Sequence, residues 1–172
     1  MMSNERVIWF ERQFTLDLSL WMYPNVVERV RGTPARLEDR LSSLPRELLT
    51  RRTGGGWSIQ EQAGHLLDLG TLDLGRLDDY EAGLETLRPA DPGNRKTHEA
   101  DHNANSIERL LAEFRAERSA FVRRLDEYDT EFIKRTALHP RLQLPMRVLD
   151  LAFFIAEHDD HHLARITELI KQ

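Results

Sequence analysis

The chain contains no cysteine. This excludes disulfide bonds, thiolate metal ligands and a nucleophilic Cys in one step. A metal site would have to use imidazole and carboxylate, and sulfur chemistry would have to arrive with a substrate. Long apolar runs are also missing: none approaches the ~20 residues that span a bilayer. The opening Met-Met-Ser-Asn-Glu-Arg lacks the apolar stretch of a signal peptide. The expectation is a cytoplasmic protein with no membrane partner. Basic charge is not in excess, with 24 Lys and Arg against 29 Asp and Glu and a net charge of −5. The basic residues stand beside acids, as in Arg36, Glu38, Asp39 and Arg40, which argues against nucleic acid as the main partner. Strand signals are scarce, with no alternating β-branched run and no Asn-Gly or Asp-Gly turn.

What remains is helical periodicity punctuated by Pro and Gly. At 172 residues a single domain, 1–172, is expected, with 1–22 as an N-terminal extension. That extension carries Trp9, Phe10, Phe14 and Trp21, suited to packing on the bundle or on a dimer partner, or to a lid. A helix follows Pro24 to about Leu44, with Gly32-Thr33-Pro34 reading as a restart because Thr33 can cap and Pro34 suits the first helical position. Gly54-Gly55-Gly56 has neither a preceding strand nor a following Lys-Ser/Thr, so it is no phosphate loop. Ser58-Ile59-Gln60-Glu61 is a capping box opening a helix to about Leu87, with Ile59, Ala63, Leu66, Gly70, Leu77 and Leu84 on one stripe. A long connection, 88–97, precedes a third helix from about Ser106 to Tyr128. The segment from His139 to Pro145 reads as a loop before a final helix reaching Ile170. Four principal helices predict an all-α, four-helix bundle.

The final helix carries Glu157-His158-Asp159-Asp160-His161-His162, three of the seven histidines in six residues. At about 100° per residue from Val148, the apolar positions Leu151, Ala152, Ile155, Ile166, Leu169 and Ile170 fall within about 60° of it. His158 at about 280° and His162 at about 320° lie on or beside that arc, whereas His161 at about 220° looks to the rim. Asp159, at about 20°, points inward and could pair with a histidine, offer an oxygen ligand or serve as a base. A catalytic metal ordinarily takes three protein ligands and keeps an open position, so a third is needed. His65, on the buried side of another helix among Ala63, Leu66 and Leu67, is the best candidate. The plainer alternative for a lone His on an apolar face is a hydrogen-bonded core residue. His98-Glu99-Ala100-Asp101-His102 matches the zincin protease pattern His-Glu-x-x-His, but the segment before it is polar and aperiodic. It reads instead as a solvated helix start, or as a loop lending His98 or His102 to substrate binding.

Two motifs together resemble the DinB-like (DinB/YfiT) superfamily of metal-dependent proteins. One is Trp57-Ser58-Ile59-Gln60-Glu61-Gln62-Ala63-Gly64-His65-Leu66; the other is Ala156 through Ile166, with its His158-x-x-His161-His162 core. The resemblance covers about Asn25 to Ile170. It implies a four-helix bundle with a long crossover connection and a divalent ion, nickel or zinc, with iron or manganese also compatible. The ion would be held by His65, His158 and His162, with His161 not a ligand. Relatives include S-transferases using low-molecular-weight thiols and a mycothiol-dependent isomerase, while others are taken to be hydrolases. The expected function is therefore a metal-dependent transferase or hydrolase in which the metal activates a thiol or water. Its partners are a small molecule and a second copy of the chain, and Asp159 or Glu61 assists. The alternatives are a non-catalytic metal-stapled stress-response bundle and, remotely, a zincin.

Overall fold

The structure, a computed structural model, describes residues 7–172. Residues 1–6 of the expected N-terminal extension lie outside the described residues. Helices dominate: α1 (Tyr23–Leu41), α2 (Arg46–Thr50), α3 (Ile59–Asp68), α4 (Gly70–Glu81), α5 (Arg95–Glu99), α6 (Ile107–Glu127) and α7 (Val148–Ile170). α1 packs on α6 and α7, and the α3–α4 pair packs on the same two helices from the other side, so the four long rods form a bundle. The 82–106 connection crosses between α4 and α6 and contains α5.

Four expectations change. The chain is not purely α: β1 (Thr136–His139) and β2 (Leu144–Arg147) form an antiparallel hairpin with Leu138 opposite Pro145. β1 also bonds to the 85–87 segment, Leu138 N–H to the Glu85 carbonyl at 2.8 Å and Leu87 N–H to the Leu138 carbonyl at 3.0 Å. The segment read as a loop, His139 to Pro145, is thus the turn of a hairpin with strand residues at both ends, and α7 begins at Val148, where Asp150 accepts the Arg147 N–H at 3.0 Å. Second, α1 does not restart at Gly32-Thr33-Pro34 but runs through Pro34. Thr33 lies inside the helix, and Arg36 Nη2 donates to the Arg29 carbonyl two turns earlier at 3.0 Å. Third, the helix expected to reach Leu87 is divided between Asp68 and Gly70 and ends at Glu81. Gly83 then takes a left-handed φ of 69°, and its N–H closes on the Tyr80 carbonyl, a turn that only glycine adopts freely. Fourth, Leu84 therefore leaves the stripe and is 48 % exposed, whereas Ile59, Ala63, Leu66 and Leu77 are buried.

The core falls into two apolar clusters stacked along the bundle. One joins the first half of α1 with Leu77 and Tyr80 of α4, the end of α6, the hairpin and the start of α7. The other joins the end of α1 with α2, α3, the start of α6 and the end of α7. Between them each long rod contributes a buried polar residue: Thr33 from α1, Asp73 from α4, Arg118 from α6 and Asp159 from α7. Arg118 Nη2 donates to Asp159 Oδ1 at 3.0 Å, and Thr33 Oγ1 donates to Asp159 Oδ2 at 2.7 Å. Asp73 lies 3.8 Å from the same guanidinium. The bundle thus has a polar waist, and the histidine-rich run of α7 sits at that level.

Candidate metal centre

α3 is aligned by its capping box. Ser58 Oγ accepts the Glu61 N–H at 3.1 Å, and Glu61 Oε2 accepts the Ser58 N–H at 2.8 Å. Arg52 clamps the same carboxylate. Along the buried side of α3, Gln62 and His65 lie three residues apart on one face. They face His158 and His162 of α7, themselves one turn apart. The ligand-capable atoms of His65, His158 and His162 all lie within 4.8 Å of one another. His158 Nε2 and His162 Nε2 are 3.1 Å apart.

The outer nitrogens decide what the inner ones can do. His162 Nδ1 donates to Gln62 Oε1 at 2.7 Å. His65 Nδ1 lies 3.0 Å from Thr97 Oγ1, and the Thr97 hydroxyl is also hydrogen-bonded to the Asp68 carboxylate. With its own proton given to Asp68, Thr97 accepts from His65. Both imidazoles are thereby held as the tautomer whose Nε2 carries a lone pair, the form that a cation needs. Burial pushes the His65 pKa down to about 4, and burial together with the neighbouring His65 holds His158 well below the usual imidazole value. His65 and His158 are therefore neutral and basic toward a metal at neutral pH.

The run in α7 divides by chemistry. Its carboxylates go to arginines: Glu157 to Arg12 and Arg29, Asp160 to Arg29 and Arg36, Asp159 to Arg118. Its imidazoles go to the cavity. His161, half-buried at the rim, lines the same cavity and lies 5.6 Å from the Trp9 ring. Asp159 and Glu61, the candidate bases, do not line the cavity; each is held by an arginine and a main-chain or hydroxyl donor.

The His-Glu-x-x-His match does not form one face. α5 stops at Glu99, and Asp101 turns left-handed at φ 46° before His102. His98 is exposed and meets the ring of Trp57 at 5.6 Å. His102 is buried against Gly64, where a Cβ would stand 2.3 Å from its ring, and its Nε2 bonds Asp68 at 2.8 Å. His102 thus buttresses Asp68, Thr97 and, through them, His65.

Two tryptophans also border the cluster. Trp57 covers His65 at 4.8 Å, and Trp9 covers His158 at 4.8 Å. Trp9 comes from the N-terminal segment, pinned by the Arg12–Glu157 ion pair, so that segment packs on the bundle beside the cluster. Gln62 was readable as a polar residue on the His65 face; Thr97 was not. The cavity itself has a volume of about 550 Å³.

His139, on β1, offers a pH test away from the cluster. Its Nδ1 accepts the Leu142 N–H at 3.2 Å, and burial pushes its pKa down to about 3. The unfolded chain takes up a proton near pH 6.5, which the folded protein refuses until far lower pH. The stability that this neutral imidazole confers is therefore complete above that value and declines as pH falls. The stability difference between wild type and His139→Gln should shrink by about 1.4 kcal/mol per pH unit below about pH 6.5. Urea denaturation of both proteins at pH 7.5, 6 and 5 reads it; a pH-invariant difference would contradict it.

A helical bundle that presents three imidazoles from two facing helices to one cavity is a protein class with a candidate metal centre. The chain belongs to the DinB superfamily, whose family model matches residues 29–166. Its fold is similar to that of YfiT from Bacillus subtilis, described as a probable metal-dependent hydrolase with an unusual four-helix bundle topology. The TM-score is 0.74 at 20 % identity, over 94 % of this chain and 93 % of that one. At that identity the likeness is one of fold. No curated protein matches the chain. No helix among the described residues is long and apolar enough to cross a membrane.

Proposed function

We propose that the chain is a metal-dependent enzyme acting on a small molecule, with a divalent ion held by His65, His158 and His162. The observation that carries the reading is the convergence of three imidazoles at a cavity wall, two of them locked by Gln62 and Thr97 with a lone pair facing inward. The 3.1 Å gap between His158 Nε2 and His162 Nε2 suits adjacent ligands, since bonds of about 2.0–2.1 Å put neighbouring donors roughly 3 Å apart. An all-imidazole set suits zinc or nickel and also accepts iron or manganese. When bound, the ion supplies Lewis acidity that makes water or a thiol nucleophilic near neutral pH.

The chain's own residues do the rest. Trp9 and Trp57 screen the cluster from bulk water, and Gln62 and Thr97 fix the rings. Asp159 and Glu61 act in this reading through the fold, as partners of Arg118 and Arg52. An adjoining cavity favours an enzyme over a structural staple, whose coordination would be closed. With water as nucleophile the reaction is hydrolysis; with a low-molecular-weight thiol it is S-transfer, and the lack of cysteine leaves that thiol to come from outside. A homodimer built on the exposed Trp21, and a cytoplasmic location, belong to the same reading.

The test loads purified protein with zinc or nickel. It then follows p-nitrophenyl acetate hydrolysis and, separately, conjugation of monochlorobimane with L-cysteine or glutathione. Turnover in one arm that chelator abolishes and metal restores is expected. Rates indifferent to chelator, or no turnover in either arm by fully loaded protein, would count against the enzyme reading.

A further inference from the structure

The cavity that borders the histidine cluster also contains two guanidiniums that, among the described residues, hydrogen-bond no carboxylate. Arg76, on α4, is 3 % exposed, yet its one hydrogen bond among the described residues runs from Nε to the Arg88 carbonyl at 3.2 Å. Arg141, between β1 and β2, makes no hydrogen bond or ion pair among the described residues. Its Cζ lies 5.4 Å from the Phe10 ring and 5.7 Å from the Phe154 ring. Both line the cavity. Arg165, the third guanidinium of that lining, is by contrast bonded to Glu168 at 2.9 Å. Asp73, three residues before Arg76 and in the same lining, acts on it as a charge without a hydrogen bond and lies 3.8 Å from Arg118.

A third donor stands with them. His139 lines the same cavity and uses Nδ1 as an acceptor, so its proton sits on Nε2; that atom is buried with no partner. A buried cation and an orphaned donor are both costly unless an acceptor answers them. Here an acceptor inside the cavity would answer both, because an oxyanion can take several N–H donors at once.

The position is specific relative to the cluster. Phe154 precedes His158 by one turn of α7, about 6 Å along the axis. Its ring lies 5.0 Å from that of His139 and 5.1 Å from that of Trp9, and Trp9 lies 4.8 Å from His158. An apolar bridge of Trp9 and Phe154 therefore connects the guanidiniums to the imidazoles.

We propose that Arg76 and Arg141, with the Nε2–H of His139, form an anion subsite for a substrate carboxylate. The apolar body of that substrate lies along Trp9 and Phe154, and its reacting group reaches His65, His158 and His162. The inference rests on the reading of the cavity as a substrate site and narrows it to small carboxylates with an apolar or aromatic body.

The test uses 3-phenylpropionate and its uncharged amide, 3-phenylpropanamide, titrated into chelator-treated full-length protein by calorimetry and tryptophan fluorescence. The carboxylate should bind about 10-fold or more tighter than the amide. Arg141→Gln and Arg76→Gln should each erase most of that preference, while Arg76→Lys retains part of it and Arg165→Gln all of it. Arg141 is exposed, so Arg141→Gln still reads the subsite if the buried Arg76→Gln does not fold. Equal affinity for the two probes, or a carboxylate preference that survives in Arg141→Gln, would overturn the proposal. So would a preference seen only with added zinc and lost in His162→Ala, which would put the carboxylate on the metal. Because the binding arms are metal-free, a failure of the metal reading leaves this result standing, and the reverse also holds.

Discussion

His65→Ala is expected to purify without a stoichiometric divalent ion and to lose more than about 100-fold in affinity for added zinc or nickel. The reasoning is geometric. His158 and His162 sit one turn apart on α7 and by themselves offer two donors, too few to hold a catalytic ion well. His65 comes from the facing helix and is the one further imidazole within reach of both among the described residues. His158→Ala and His162→Ala should lose metal similarly. His161→Ala should keep it, since His161 is not part of the cluster of converging ligand atoms. Gln62→Leu and Thr97→Val should fall between, at about 10–100-fold, because each frees one ring to rotate or change tautomer. Metal analysis by mass spectrometry, with a competition titration against a chromophoric chelator, reads all six variants. Circular dichroism confirms that they fold. Full occupancy in His65→Ala would end the three-histidine reading.

The convergence of that trio was legible in part: period chose the α7 pair, and His65 was added as the best candidate and by the resemblance of two motifs. A 3.6-residue repeat assigns His158 and His162 to the apolar side of α7 and His161 to its edge, and a capping box fixes where α3 begins. The features that were not accessible depend on neighbours distant in sequence. Angle placed Asp159 inward, as it is, but could not say that Arg118 on α6 and Thr33 on α1 would meet it there. Thr97 sits 32 residues after the histidine that it orients, in a polar stretch with no period. The hairpin escaped because its strands have four residues each and the second contains Pro145, which argues against a strand except at an edge. Yet it is the hairpin that brings His139 and Arg141 to the cavity wall. Pro34 misled in the opposite direction: a proline costs an isolated helix dearly, but α1 is held along its length by α6 and α7.

The second large effect lies in the polar waist. Asp159→Asn is expected to destabilise the protein by about 3–5 kcal/mol while leaving metal affinity within a small factor of wild type. Asp159 is fully buried, and Arg118 is 4 % exposed with its Nη1 already lacking a partner. Removing the carboxylate charge leaves a desolvated guanidinium with Asp73 as its nearest anion, at 3.8 Å. Burial lifts the Asp73 carboxyl to about pH 7, so near neutrality it answers Arg118 with only part of a charge. Phe114 and Phe121, 5.1 and 5.8 Å from the Arg118 Cζ, soften the loss without replacing an ion pair. Urea denaturation of Asp159→Asn, Arg118→Met and the double variant forms a cycle. The double variant should be more stable than either single one, since the cost lies in the charge left unpaired. This experiment also separates two roles for one carboxylate. A catalytic base would lose turnover at unchanged stability, whereas a waist residue loses stability at unchanged metal binding. Wild-type stability in Asp159→Asn would return Asp159 to the list of candidate bases. The expected result instead assigns the acids of the α7 run to holding the helices in register, so that its histidines arrive opposite His65.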